Sequence, residues 1–212
     1  MLDQSIYENF LPLKADLHGF NQYDSHLFGD LISKLRPSTI IEIGTWKGAS
    51  AFTMCKAIKK NGLKTKIFCV DTWLGALEFI DKTQQWLEND FHRKERDLML
   101  KNGYPQVYYQ FLSNVIHTDN QNIITPIPNT SDIAARFFKN NSIKADLIFV
   151  DGSHDYEDVK RDIQNYYELL LNDESIIFGD DYRWHGVNKA VSEFSNEKGV
   201  KVEVINNNFW IM

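Results

Sequence analysis

Three aspartates and one histidine carry the most specific chemistry in this sequence. Asp151-Gly152-Ser153-His154 follows one apolar run, and Gly179-Asp180-Asp181 follows another. If those runs are neighbouring strands, Asp151, Asp180 and Asp181 converge at one edge. Like charges at hydrogen-bonding distance repel, raise each other's pKa and call for a cation. An all-carboxylate set suits Mg2+ or Mn2+, with water or substrate oxygens completing the shell. Zinc would want more His or Cys than is present. The bland alternative is three solvated loop acids capping helices, the role read for Asp155 and Asp158. His154 lies about one helical turn beyond Asp151. Imidazole, with an ordinary pKa of ~6.5, suits a general base near neutrality, and helix capping or metal orientation is its alternative role. His185, just past Asp181, is a candidate substrate contact, and Trp73 and Trp184 either face the acceptor or pack, as aromatic residues at a sheet edge do equally often.

A second constellation lies earlier in the chain. Glu42-Ile43-Gly44-Thr45-Trp46-Lys47-Gly48 follows an apolar strand and opens a helix. Glycine there lets backbone approach a ligand closely, and the helix start offers N–H groups. The spacing departs from Gly-x-Gly-x-x-Gly, which argues against NAD or FAD. Asp71 ends the next strand, where an acid accepts hydrogen bonds from ribose hydroxyls, with a loop or capping aspartate as the alternative. Asn129-Thr130-Ser131-Asp132 presents either groups for a purine or an ordinary helix cap.

The elements that must position these residues alternate. Strands are expected at Thr39–Ile43, Lys66–Val70, Asn122–Ile127, Ala145–Val150 and Ser175–Phe178. A helix with the apolar face Leu27, Phe28, Leu31, Ile32 and Leu35 precedes the first strand and stops at Pro37, and another runs from Ala49 to Lys60. Such alternation predicts an α/β fold, a Rossmann-like, doubly wound and mostly parallel sheet. The alternating run Val200–Ile205, the turn Asn206–Asn208 and Phe209–Met212 must pair antiparallel, because a parallel pair needs a crossover of a dozen or more residues. The sheet thus has seven strands with a C-terminal hairpin. Residues 1–212 read as one domain with an N-terminal helical segment, 1–37, and a helical insertion, 74–121. In that insertion Tyr108, Phe111, Leu112, Val115 and Ile116 share one helical face, and Trp86 and Phe91 lie on a further helix. It reads equally as crossover packing or as a lid or oligomer contact.

Composition narrows the function classes. The 29 acids against 23 bases give a net charge of -6. That excess disfavours DNA or RNA phosphates as partners and favours a small molecule. No apolar run approaches the roughly 18 residues of a membrane span. The N-terminus lacks the basic patch and apolar core of a secretory signal. Cys55 and Cys69 fall in an expected helix and strand, so a reducing cytoplasm is the expected location.

Taken together, these motifs resemble the class I S-adenosylmethionine-dependent methyltransferases. More narrowly, Gly44-Thr45-Trp46-Lys47-Gly48-Ala49-Ser50, Tyr108-Tyr109-Gln110-Phe111, Asp151-Gly152-Ser153-His154-Asp155-Tyr156 and Asp180-Asp181-Tyr182 are similar to the macrocin-type sugar O-methyltransferases. The resemblance implies that Asp151, Asp180 and Asp181 bind Mg2+ or Mn2+ and that His154 is the base. It further implies a cofactor site from Glu42, Gly44, Thr45, Gly48, Ser50, Asp71, Thr72, Trp73, Ser131 and Asp151, with Asp71 on the ribose. The expected reaction is methyl transfer to a hydroxyl of a small molecule, a sugar or other vicinal diol, by a homodimer or higher homo-oligomer. The alternatives are a metal-dependent hydroxylase and a non-catalytic cofactor-binding protein. Asn172-Asp173-Glu174 departs from the family's usual Gly-Gly turn.

Overall fold

The computed structural model describes residues 4–17, 25–76 and 98–212. The strands are β1 (Thr39–Ile43), β2 (Lys66–Asp71), β3 (Ile124–Pro128), β4 (Leu147–Val150), β5 (Ile176–Gly179), β6 (Glu203–Ile205) and β7 (Phe209–Ile211). The helices are α1 (Ser25–Leu35), α2 (Ala49–Lys60), α3 (Val107–His117), α4 (Ser131–Asn140), α5 (Tyr156–Tyr167) and α6 (His185–Lys198). One seven-stranded sheet has the order β3-β2-β1-β4-β5-β7-β6. The five strands β1 to β5 are parallel, and only β7 runs antiparallel to β5 and β6. This is the expected fold, an α/β doubly wound sheet finished by an antiparallel hairpin.

The central strands read as continuous apolar runs because both faces are covered. Ile40, Ile41, Leu147, Ile148 and Phe149 are all buried. One face packs against α1, α2 and α3, where Phe28 meets Phe149, Phe178 and Phe209 edge-on at 5.1–6.0 Å between centroids. Edge-to-face contacts of that kind add to the burial of the rings themselves. The other face packs against α4, α5 and α6. Apolar residues at helical spacing on α5, Val159, Ile163 and Tyr166, make its buried stripe.

Several expected boundaries move. The strands β3, β4 and β6 start later than their apolar runs. Asp146, for example, spends its carboxylate on Ser38 and Thr39 at 2.8–2.9 Å, ahead of β4. The N-terminal region is not helical throughout. A 3-10 turn at Gln4–Tyr7 is followed by an irregular stretch that lies against α3. There Leu13 N–H donates to Ser113 Oγ and Asp16 N–H to Asn114 Oδ1, both at 2.9 Å. Of the 74–121 insertion, α3 buries Phe111, Leu112 and Val115 as expected, while Ile116 is only partly buried. Trp86 and Phe91 lie outside the described residues. Cys55 and Cys69 are buried and unpaired, and burial pushes both thiols up in pKa. Among the described residues, no helix is long and apolar enough to cross a membrane.

Candidate active site

The strand order reverses between β1 and β4, and ligands of open α/β sheets bind outside the carboxyl ends at such a switch point. Gly44 leaves β1 there with φ +84° and presses against the Asp151 backbone beyond β4. A Cβ at Gly44 would collide with the Asp151 carbonyl, so the first glycine is needed for both its backbone angle and its closeness. A cleft of about 550 Å3 opens at this point. Gly44, Trp46, Asp71, Thr72, Ser131 and Asp151 line it, with Asn129, Thr130, Gly152, Ser153, Asp158, Arg161 and Asp162. A second cleft, of about 530 Å3, lies at the opposite end of the strands beside Tyr167, Asn172 and Lys201, away from every candidate residue.

Five of the ten expected cofactor residues, Gly44, Asp71, Thr72, Ser131 and Asp151, line the cleft. The other five build its walls from behind. Glu42 is fully buried and accepts from Thr45 Oγ1 at 2.7 Å and Ser50 Oγ at 2.5 Å, tying the loop to β1 and α2. Burial raises its pKa, against the pull of those hydroxyls. Gly48 packs against Phe52 and Phe111, where a side chain would clash. Trp73 is 1% exposed, stacks on Phe111 and donates from its indole N–H to the Trp46 carbonyl at 2.7 Å. It therefore takes the packing role of the two read for it and faces the core.

Asp71 holds the loop as well as lining the cleft. Its carboxylate accepts the backbone N–H groups of Trp46 at 2.7 Å and Trp73 at 2.6 Å. Burial raises its pKa, and these N–H bonds oppose that shift. Ribose hydroxyls would share a carboxylate that already organises its own turn. On β3's side, the cap of α4 is Thr130, whose hydroxyl accepts from Ile133 N–H at 3.4 Å, so Ser131 is left to face the cleft.

The reactive edge is more open. Asp151 and Asp180 follow the register partners Val150 and Gly179 on adjacent strands, so the backbone does bring the acids to one edge. The Asp180 and Asp181 side chains take separate partners. Asp181, with a left-handed φ of 59°, carries its Oδ2 to within 2.8 Å of His154 Nε2. Asp180 accepts from the Asp181 N–H at 2.7 Å and from the Asn208 side chain. The carboxyl of Asp180 is pushed up to about 6, first by burial and then by the charge of Asp181. Among the described residues, no three His, Cys, Asp or Glu side chains are grouped to hold a metal. The expected three-carboxylate convergence is thus a property of the backbone edge and not of the side chains as they stand. The donor chemistry nonetheless fits a hard divalent ion, because a crowded, desolvated carboxylate pair is what a cation would relieve.

His154 is held on two sides. Trp184 stacks on its ring at 4.5 Å, and Asp181 fixes one nitrogen. With Asp181 as acceptor, Nε2 carries a ring proton. The start of α6 presses on the same loop, since a Cβ at Gly186 would strike the His154 carbonyl. Asp155 occupies the cap position of α5 without a side-chain cap bond, and Asp158 pairs with Arg161 and accepts from Ser153 Oγ at 3.1 Å. His185 is exposed.

Residues 41–182 match the family model described as a methyltransferase domain. The chain belongs to this methyltransferase family. Its fold is that of solved O-methyltransferases. An O-methyltransferase from Bacillus cereus, in complex with SAH, superposes with a TM-score of 0.62 at 13% identity, over 99% of this chain and 95% of that one. The calicheamicin-biosynthesis enzyme CalS11, a TDP-rhamnose 3'-O-methyltransferase, gives 0.56 at 16% identity, over 88% and 77%. Among curated proteins, the uncharacterised protein y4gI of Sinorhizobium fredii is 32% identical over 157 residues, 74% of this chain. An uncharacterised protein of Acanthamoeba polyphaga mimivirus is 27% identical over 177 residues, 79% of this chain. The methyltransferase chain spans 14% of the length of the first and 66% of the second.

The most deeply buried polar cleft residue that sequence alone did not point to is Asp162. Asp162 sits inside the apolar stripe of α5, between Val159 and Ile163 and Tyr166, and is 4% exposed. A polar residue on the buried face of an amphipathic helix was the available signal.

Proposed function

We propose that this methyltransferase transfers a methyl group from S-adenosylmethionine to a hydroxyl of a small molecule, a sugar or other vicinal diol. The observation that carries the reading is the His154–Asp181 pair, 2.8 Å apart, in the loop that leaves the cofactor cleft at Asp151. S-adenosylmethionine, when bound, supplies an electrophilic methyl on a sulfonium sulfur. Gly44, Asp71 and Ser131 line the cleft that would take it. With cofactor and acceptor bound, the His154 ring would take the proton that the acceptor hydroxyl loses as its oxygen receives the methyl group from sulfur. Asp181 stabilises the imidazolium that results, in the way a carboxylate orients a catalytic histidine. Trp184 keeps the ring plane fixed.

Asp151, Asp180 and Asp181 would hold Mg2+ or Mn2+. A bound ion lowers the pKa of a coordinated hydroxyl and orients it, which favours vicinal diols as acceptors. The likeness to CalS11, a TDP-rhamnose 3'-O-methyltransferase, supports a sugar acceptor. Exposed Leu100, Tyr104 and Tyr109 support the 74–121 insertion as a contact surface between copies of the chain. Calorimetric titration with S-adenosylmethionine, with and without Mg2+, tests the core of the proposal. Saturable binding of the cofactor is expected, and its absence in both conditions would overturn it.

A further inference from the structure

We propose that Asn114 is a positioning residue for the glycine loop, which it couples to an N-terminal strap, residues 13–16. The proposal rests on the cofactor reading above and adds to it a residue that acts on the cofactor through the loop. Helix α3 carries polar residues at positions 110, 113, 114 and 117, the i, i+3, i+4, i+7 spacing of one helical face. A buried face is ordinarily apolar, yet Gln110, Ser113 and Asn114 are at most 3% exposed. Their partners are main-chain atoms of the strap. Ser113 Oγ accepts the Leu13 N–H at 2.9 Å, Gln110 Nε2 donates to the Lys14 carbonyl at 3.0 Å, and His117 Nε2 lies 2.7 Å from the Leu13 carbonyl. Asn114 holds Asp16 twice: its Oδ1 accepts the N–H at 2.9 Å and its Nδ2 donates to the carbonyl at 2.7 Å.

Asn114 also reaches the loop. Its Nδ2 donates a second bond, to the Lys47 carbonyl at 3.0 Å, and its Oδ1 accepts a second one, from Gln110 Nε2 at 2.9 Å. All four hydrogen-bonding capacities of the side-chain amide are then in use, so its orientation is fixed. The Lys47 ammonium joins loop and strap a second time, 2.7 Å from the Asp16 carboxylate. The preceding carbonyl, that of Trp46, accepts from Trp73, which stacks on Phe111 of α3. Two consecutive peptide planes of the loop are thus set from α3, immediately before Gly48 leads into α2. If the strap lifts, Asn114 loses both Asp16 partners and is free to turn away from the Lys47 carbonyl. A ligand that favours the ordered loop therefore favours the docked strap, and by linkage the docked strap favours the ligand equally.

The contrasting role is a plain structural tie, in which α3 holds strap and loop independently. Hydrogen exchange separates the two, read at the Leu13 N–H, which is held by Ser113 and so stays measurable when Asn114 is replaced. The full chain is followed with and without saturating S-adenosyl-L-homocysteine, and calorimetry measures binding of that ligand by the same samples. In the wild type the ligand should slow exchange at Leu13 by about tenfold, within the usual range of coupling between sites, and change the β6–β7 hairpin by less than about twofold. In Asn114→Ala the slowing at Leu13 should fall below about twofold, with ligand still bound at an affinity up to about tenfold weaker. Lys47→Met keeps the apolar stem and removes the ammonium from Asp16. It should reduce the slowing to about threefold, and it decides the matter if the alanine variant does not fold. Unchanged exchange at Leu13 in a wild type that binds the ligand, or an equal slowing in the hairpin, would overturn the proposal and leave the cofactor reading intact. So would full slowing in folded Asn114→Ala, or in Lys47→Met where the alanine variant does not fold. A wild type that binds no ligand would overturn both.

Discussion

The two ends of the ligand edge are built differently. At β1 and β2 the glycine loop is fixed from within the protein: Glu42 takes two hydroxyls, Asp71 takes two backbone N–H groups, and the Trp73 indole closes on the Trp46 carbonyl. At β4 and β5 the side chains are half-exposed, and the carboxylates have found partners among themselves, His154 and Asn208. The first region is preorganised before any ligand arrives, which lowers the ordering cost of binding. The second holds charge at a solvent edge. In the proposed reading, binding and reaction are separated in space and in stiffness.

That contrast can be broken at either end. Exhaustive chelation is expected to abolish methyl transfer, with recovery on adding Mg2+, and S-adenosyl-L-homocysteine affinity should be nearly unchanged. Full turnover in the chelated enzyme would remove the ion from the reaction edge. His154→Ala should lower kcat by about 10²–10⁴ while leaving cofactor affinity within about threefold. Loss of cofactor binding in that variant would show that the two regions are not separate. Glu42→Ala should do the reverse, costing about 2–4 kcal/mol of stability by leaving two buried hydroxyls without their acceptor. Denaturant unfolding measures that cost, and a loss of kcat at full stability would contradict it.

Asp162 gives a pH signature in the same unfolding experiment. Burial pushes its carboxyl from 3.8 up to about 6. Between those values the folded state binds the extra proton, so this group stabilises the fold as pH falls from about 6 to about 4 and opposes it above 6. Asp162→Asn should therefore raise stability at pH 7.5 by up to about 2 kcal/mol and by much less at pH 4. An equal change at both pH values would place the raised pKa elsewhere. The smallest effect belongs to Trp184→Ala, about 2- to 10-fold in kcat, from loss of one stacking contact on His154. An unchanged kcat would mean that Asp181 alone holds the ring.

The same difference explains what could be read from sequence. Strand and helix periodicity marked β1, α2, the parallel order and the hairpin, because each depends on a local apolar pattern. Gly44 and Asp71 were legible as strand-end residues, and they do line the cleft. Glu42 and Trp73 were legible as part of the motif but not in their roles, since facing the loop's underside or the core is decided by packing against α2 and α3. Trp73 shows this well: a strand-end aromatic reads equally as a substrate contact or as packing until Phe111 and Tyr108 claim it. Asp180 and Asp181 were placed correctly on the backbone, whereas the turn of Asp181 toward His154 follows from a backbone angle that adjacent letters do not encode.

The hairpin does more than close the sheet. Asn208 receives the Tyr182 N–H at 2.8 Å on its carbonyl and sends its side-chain amide to Asp180, while Trp210 covers Gly179 so closely that no side chain fits there. The exposed turn at residues 206–208 therefore sets the posture of an acid it does not follow in sequence. Sequence drift in that turn would change the partners of Asp180, so relatives with similar acid motifs but different hairpins need not share an acidity profile.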